Sequence, residues 1–583
     1  MPDAASIART ILDGFDRHYR LFRATSARAK ERWERADWIG VHEASRARID
    51  MYDQRVREGV EAVHAALDGA VLEEALWPAI KRAYIGMLHE HAQPECAETF
   101  FNSVARRVLD RRYYRNDYIF RRPAISTEHL DGVEPTYRCY YPAGTDLRRT
   151  FREAIDAFGI KLPFADLDRD VEYMGRAIDE HFPAKWERRP NFQVHVLRSL
   201  FFRNKGAYAV GRVVNGSSTT PFIVPLLQDD EGKVYVDTIL LDGKDIGRVF
   251  SLGRAYFFTD MEVPSAYVDF LYTVVPNKTK AELYTMVGLG KQGKTLFFRD
   301  LEQHLRHSTD TFVLAEGTKG MVMVVFTLPS FPYVFKIIRD WFAPPKDTDR
   351  ESVEERYKFV KLHDRVGRMS DTLEYAHVAF PASRLDAALV EELERLAPSL
   401  LERDGDQVVI RHLYIERRLV PLDVYLRDAE PARQRAAIDE YGRALKELAG
   451  ANIFAGDLLL KNFGLTRYGR VIFYDYDELC ELTDCRFRTM PRPRDDSEEM
   501  ASDPWFAVEK GDVFPEQFPT FLFPPGEQRD AFLELHGDLA EAAFWRGQQE
   551  RIRAGVQDDV FAYPEAVRFG ARFGPKPPER PAG

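Results

Sequence analysis

The 583 residues exceed what one hydrophobic core supports, so the chain divides into two or more domains. A hydrophobic content of 45% beside 30% charged residues describes a folded protein and excludes a disordered one. The net charge of −11 argues against global attraction to nucleic acid or to an anionic membrane.

The first 200 residues read as helices. Ile7, Ile11, Phe15, Tyr19 and Phe22 recur at intervals of four and three, the apolar stripe of an amphipathic helix. Similar periodicity appears in "VLEEALWPAIKRAYIGMLHEH" and in "LRRTFREAIDAF". Between them, "RRVLDRRYYRNDYIFRR" (106–122) sets arginines among aromatics, a pattern that suits either a solvated helix face or the binding of phosphate and base. Residues 206–260 change character: "AYAVGRVV", "PFIVPLL", "VYVDTILL" and "RVFSLGRAYFFTD", separated by "NGSS", "DDEGK" and "DGKD", predict an antiparallel meander. "AELYTMVGLG" and "TLFFRDLEQHLRHS" return to helix.

From 311, "TFVLAEGTKGMVMVVFTLPSFPYVFKIIRD" predicts three strands joined by turns at "EGTKG" and "LPSFP". A charged helix, "ESVEERYKFVKLHDRVGRM", follows, then the strand-like "DQVVIRHLYIERRLVPLDVYL" and a helix at 431–450. The Pro-rich, acidic and aromatic stretch 491–521 predicts an exposed loop suited to docking a protein, and the tail 575–583 predicts disorder. Four cysteines, Cys96, Cys139, Cys480 and Cys485, form neither a disulfide framework nor a CxxC metal pattern. The N-terminus has no signal-peptide form, and no run of about 18 apolar residues occurs. A soluble cytoplasmic protein is the expectation.

The chemistry concentrates in "FAGDLLLKNFGLTRYGRVIFYDYDE", residues 454–478. Phosphoryl transfer needs a carboxylate to orient the attacking hydroxyl, oxygen ligands for magnesium and a cation on the phosphates. Asp457 and Asn462 have the D-x-x-x-x-N loop spacing, and the apolar "RVIFYD" delivers Asp475 beyond a strand. Lys336 in "YVFKII" stands where a kinase places its phosphate-pairing lysine. Taken singly, Asp457 reads as a helix cap, Asn462 as a turn residue and "EGTKG" as an ordinary hairpin turn. Their order along the chain is what predicts a kinase-type nucleotide site. It departs from the usual pattern in "AGD" for H-R-D, "DYD" for D-F-G, a loop with only Gly317 and Gly320, and no A-P-E. Without the H-R-D arginine, activation-loop phosphorylation is not expected to switch activity.

"FVLAEGTKGMVMVVFTLPSFPYVFKIIRD", "HDRVGRMSDTLEY", "YIERRLVPLDVYL" and "FAGDLLLKNFG…YDYDE" together resemble the bacterial isocitrate dehydrogenase kinase/phosphatase family, across nearly the whole chain. The resemblance implies an α+β protein: a mainly α-helical regulatory domain with a β-meander (1–310), then a bilobal protein-kinase-like domain (311–574) with a nucleotide lobe at about 311–415 and a catalytic lobe at about 416–574. It implies an enzyme that uses ATP (giving ADP) and Mg2+ to phosphorylate a serine of NADP-dependent isocitrate dehydrogenase, and that also removes the phosphate. AMP is the implied allosteric effector, and the glyoxylate bypass the flux controlled.

By the same resemblance Ala315, Glu316, Gly317, Thr318, Lys319, Gly320 and Met321 cover the nucleotide, and Lys336 contacts its phosphates. Glu416 belongs to the hinge that receives adenine. Asp457 orients the substrate hydroxyl, Lys461 steadies the γ-phosphate, and Asn462 and Asp475 hold magnesium. Asp371 takes an active-site role, above all in dephosphorylation; read alone, "DTLE" has the form of a helix capping box with Asp371 as the cap. Glu351, Glu354 and Glu355 are the candidates to pair with Lys336, and Arg112 and Tyr118 to help hold AMP. Two rivals use the same loop spacing. A small-molecule phosphotransferase of the aminoglycoside- or choline-kinase type has no need of so large an N-terminal half, and a nucleotide-binding pseudokinase does not usually retain all of Lys336, Asp457, Asn462 and Asp475.

Overall fold

The computed structural model describes residues 3–67, 74–109, 117–142, 147–182, 187–251, 256–275, 277–316, 320–344, 348–491, 506–509 and 511–574. They divide into two compact units, the first taking in the described residues up to 251, 256–309 and 561–574, the second 310–560.

In the first unit α1 (Ala4–Glu34) starts at Asp3, whose carboxylate accepts the Ser6 N–H at 2.7 Å. Its predicted stripe, Ile7 through Phe22, is wholly buried against α2 (Trp38–Ala66), α3 (Trp77–Leu88) and α4 (Pro94–Val108). Two helices, α5 (Arg148–Asp156) and α6 (Leu167–His181), share a second core with an antiparallel sheet. Its strands are β1 (Tyr137–Tyr140), β2 (Gln193–Leu197), β3 (Phe201–Arg203), β4 (Gly206–Asn215), β5 (Ser218–Gln228) and β6 (Val234–Val236), in the order β1-β2-β4-β5-β6 with β3 on β4.

The predicted meander therefore ends at 236 rather than 260. Beyond it Asp242 accepts the Lys244 N–H at 2.7 Å and opens a short helix, α7 (Gly243–Val249), which buries Ile246 and Val249. Of the expected last strand, Phe258 keeps only an isolated bridge to Phe202. The unit continues as α8 (Pro264–Val274), α9 (Lys280–Met286) and α10 (Gly290–His307). The stretch 561–574, assigned by sequence to the kinase-like half, packs here instead. Tyr563 Oη–H donates to Asp237 Oδ2 at 2.7 Å, and Arg568 Nε lies 3.0 Å from both oxygens of that buried carboxylate. The tail 575–583 and Arg112 lie outside the described residues, as do 492–505 of the expected docking loop.

The second unit begins with an antiparallel sheet ordered β10-β12-β9-β8-β7, with β11 on β12. The strands are β7 (Val313–Leu314), β8 (Met323–Thr327), β9 (Tyr333–Ile338), β10 (Thr372–Pro381), β11 (Leu401–Asp404) and β12 (Gln407–Arg417), with α11 (Arg350–His363) and α12 (Ala387–Leu396) between them in sequence. A second, mainly helical part follows: β13 (Val420–Pro421), α13 (Leu422–Asp428), α14 (Pro431–Gly450), β14 (Ile453–Phe454), β15 (Phe463–Leu465) and β16 (Val471–Phe473). Ile438, Tyr441 and Leu445 of α14 meet Phe463 and Phe473 in its core, so the helix backs the small sheet β13-β15-β16.

Helix α11 stops at His363, earlier than the sequence pattern predicts. Asp364 turns the chain by accepting the N–H groups of Val366, Gly367 and Arg368 on Oδ1 and that of Met369 on Oδ2. Gly367 adopts the positive φ, +70°, that this turn requires.

Candidate active site

Lys336 lies on the central strand β9, opposite Val325 of β8 and Tyr414 of β12. It is 9% exposed, and its Nζ sits 2.9 Å from Glu416 Oε2, itself 2% exposed. Thr372 Oγ1–H donates to the other carboxylate oxygen at 3.1 Å. A buried ammonium needs such a partner, because desolvation without one is costly. The partner comes from β12 and not from α11: Glu351 and Glu355 are exposed, and Glu354 faces His412 at 3.6 Å. Glu416, expected at the adenine hinge, thus has its carboxylate committed to Lys336 and Thr372. Lys336 Nζ also donates to the Tyr474 carbonyl at 3.2 Å, which leaves one of its three N–H donors for a ligand oxygen.

The connection between β7 and β8 carries Ala315, Glu316, Gly320 and Met321. The Ala315 N–H donates to Val325 O at 3.0 Å and the Gly320 carbonyl accepts Arg339 Nη2 at 2.5 Å, while Glu316 and Met321 are exposed. Gly317, Thr318 and Lys319 lie outside the described residues.

Beyond β14 the chain turns at Gly456, where φ is +72° and an added Cβ would stand 2.2 Å from the Glu478 carbonyl oxygen. Asp457 follows. One of its oxygens accepts the Leu459 N–H at 2.9 Å, and Tyr441 Oη–H holds the Leu458 carbonyl at 2.6 Å. No regular α-helix starts there; the loop closes in a single 3₁₀ turn, Leu460–Asn462, so the helix-cap reading of Asp457 does not hold. Asn462 is 3% exposed and spends its Nδ2 on the Asp457 carbonyl at 3.3 Å, which leaves its Oδ1 for a ligand. The Asn462 carbonyl accepts the Tyr474 N–H at 3.1 Å, and Tyr474 Oη–H donates to the Lys461 carbonyl. The Lys461 side chain is exposed, and the half-buried Asp475 carboxylate makes no hydrogen bond or ion pair among the described residues.

Asp371 precedes a strand, not a helix, so the capping-box reading fails: Glu374 instead meets Lys361 and His412. The segment before it is anchored by Arg368, which is fully buried. Its guanidinium binds both oxygens of Glu447 (2.5 and 3.0 Å), Glu440 Oε1 at 2.6 Å and the Val471 carbonyl at 3.0 Å. Burial opposes its charge, but the two carboxylates outweigh that and raise its pKa above the usual arginine value. Held this way, Met369 forms a parallel bridge with Phe473: the Phe473 N–H donates to Arg368 O at 2.8 Å, and the Ser370 N–H to Phe473 O at 2.9 Å. Asp371 and Asp475 each follow this bridge by two residues, so the two parallel segments carry their acids to the same end.

Contacts therefore link Glu416, Lys336, Tyr474, Asn462 and Asp457, with Asp475 and Asp371 leaving adjacent strands beside them. Among the described residues no group of three or more His, Cys, Asp or Glu is placed to hold a metal. The Asn462 amide oxygen and the Asp475 carboxylate suit instead a hard cation that keeps waters and shares phosphate oxygens, which is how Mg2+ is usually bound.

Comparison with known proteins shows the family. The kinase domain of isocitrate dehydrogenase kinase/phosphatase (AceK) matches residues 310–565, and the regulatory domain of the same enzyme matches 8–309. Proteins named isocitrate dehydrogenase kinase/phosphatase from Burkholderia mallei (strain SAVP1), Burkholderia pseudomallei (strain 1106a) and Burkholderia thailandensis are each 51% identical over 578 residues, covering 98% of this chain and 95% of the relative. The chain belongs to the isocitrate dehydrogenase kinase/phosphatase family and is an enzyme with kinase and phosphatase activities.

Proposed function

We propose that this enzyme transfers phosphate from Mg-ATP to a serine of NADP-dependent isocitrate dehydrogenase and removes it at the same site, in the cytoplasm, so controlling flux between the tricarboxylic acid cycle and the glyoxylate bypass. The relatives' name supports the substrate. The observation that carries the chemistry is the run of contacts from Glu416 through Lys336 and Tyr474 to Asn462 and Asp457. In the forward direction Asp457 orients the serine hydroxyl and accepts its proton as the oxygen attacks the γ-phosphorus and the bond to the bridging oxygen breaks, releasing ADP. Lys336, held by Glu416, gives its free N–H to a phosphate oxygen, and Lys461 approaches the γ-phosphate from the open side. Asn462 Oδ1 and the Asp475 carboxylate would hold Mg2+, which when bound would supply charge neutralisation on the phosphates. In the reverse direction Asp371 orients water and takes its proton while the bond from phosphorus to serine oxygen breaks and protonated Asp457 returns a proton to that oxygen. AMP acts as the allosteric effector that favours removal.

The test is a time course of phosphate on purified NADP-dependent isocitrate dehydrogenase with the enzyme and Mg-ATP, AMP being added midway. Serine phosphorylation that reverses after AMP, and that is absent with Asp457→Ala, is the expected result. No phosphate on the dehydrogenase at any time would remove the assigned substrate.

A further inference from the structure

Where D-F-G kinases have phenylalanine, this chain has Tyr476. Its ring is 2% exposed and meets Tyr357 of α11 edge-on, centroids 5.0 Å apart, and Phe473 at 5.7 Å. Tyr357 in turn stacks on Tyr414 of β12 at 4.1 Å. A phenylalanine would make all of these ring contacts. It would not supply the hydroxyl, which donates to the Ser370 carbonyl at 2.9 Å.

The position of that acceptor is what matters. The Ser370 carbonyl belongs to the peptide plane that enters Asp371, and the Ser370 N–H is already held by Phe473 at 2.9 Å. With both groups of Ser370 fixed, the backbone leading into Asp371 has little freedom left. One bond comes from the residue just before Tyr474–Asp475, the other from the residue just after. The strand that delivers Asp475 thus fixes the backbone that enters Asp371.

We propose that Tyr476 is a positioning residue for dephosphorylation: its hydroxyl aligns the Asp371 carboxylate with the site that Asp475 serves. The inference rests on the assignment of Asp371 to the phosphatase direction made above. Lys336, Asn462 and Asp457 are held by other bonds, and the backbone leading into Asp475 is held by the Phe473 N–H on Arg368 O and the Tyr474 N–H on Asn462 O, so the kinase direction does not depend on this hydroxyl.

The experiment uses the full chain with Tyr476→Phe, which keeps the ring and removes one oxygen, beside Asp371→Asn. Initial rates are measured separately for phosphorylation of isocitrate dehydrogenase and for release of phosphate from the phosphorylated dehydrogenase, with a melting curve for each variant. The expected result for Tyr476→Phe is a phosphatase kcat lowered by about 10- to 100-fold, the scale of a misplaced catalytic group, with unchanged KM and with kinase kcat within about two-fold. Equal loss of both activities would reveal a merely structural role and overturn the proposal. So would an unchanged phosphatase in Tyr476→Phe while Asp371→Asn loses it, though the role of Asp371 would then stand. An unchanged phosphatase in Asp371→Asn would overturn that role, and the proposal with it.

Discussion

Lys336 and Glu416 meet at 2.9 Å on one face of the sheet, although 80 residues separate them in sequence. Glu416 pairs across the strands with Val334, two residues from Lys336, and the two-residue period of a strand puts both side chains on the same side. Each is almost closed to water, so removing either leaves an uncompensated charge. Glu416→Ala is expected to lower stability by about 3–5 kcal/mol and to abolish kinase turnover. Replacing both residues by methionine costs less stability than either single truncation, because no charge is left stranded. Urea unfolding of the three variants checks this; additive losses in the double variant would contradict it.

Gly456→Ala tests the turn before Asp457. The positive φ and the approach of a new Cβ to within 2.2 Å of the Glu478 carbonyl are both unfavourable, and that carbonyl belongs to backbone that cannot swing aside alone. A cost of about 1–3 kcal/mol is expected. Because Glu478 and Asp475 share one loop, kinase kcat falls further than this stability loss explains. Turnover measured well below the melting temperature separates the two effects.

Asp475→Asn removes the one carboxylate of the proposed magnesium pair and leaves Asn462 in place. The Mg2+ concentration for half-maximal phosphorylation is expected to rise by about 10-fold or more, the scale of perturbations at metal sites. Titration of Mg2+ at saturating ATP gives the number directly. An unchanged midpoint would assign the metal to other ligands.

How much was legible in the sequence follows from how local each feature is. The stripe Ile7–Phe22 needs only one helix period, and the Asp457–Asn462 spacing only one loop, so both are readable along the chain. The pairing of Glu416 with Lys336 is fixed by strand register, which sequence spacing does not encode. A glutamate closing the apolar run "LYIE" was the available signal, since a buried acid calls for a cation. The capping box at Asp371 has the right residues for a helix start, but pairing of Thr372–Pro381 with β12 overrides that local preference. The return of 561–574 to the first unit depends on the buried Asp237, which no neighbour in sequence announces.

The first unit carries a pH dependence of its own. Burial pushes the Glu95 carboxyl up to about 7, although Tyr284 Oη–H donates to it at 2.8 Å, and its second oxygen has no hydrogen-bond partner among the described residues. Burial, helped by Arg55, pushes His18 down to about 4. For Glu95 the folded state keeps a proton that the unfolded chain releases from about 4.5 upward, so stability falls as pH rises from about 4.5 to about 7. For His18 the unfolded chain binds a proton that the folded state refuses below about 6.5, so stability rises as pH goes from about 4 to about 6.5. The two slopes oppose each other over most of that range. Glu95→Gln removes only the falling slope. Relative to the native protein the variant should therefore gain stability as pH rises from about 4.5 to about 7, and near pH 7 should exceed it by about 2–3 kcal/mol, the worth of a shift of this size. Urea unfolding of the first unit at half-unit pH steps measures both curves, and parallel curves across that range would show that Glu95 does not titrate there.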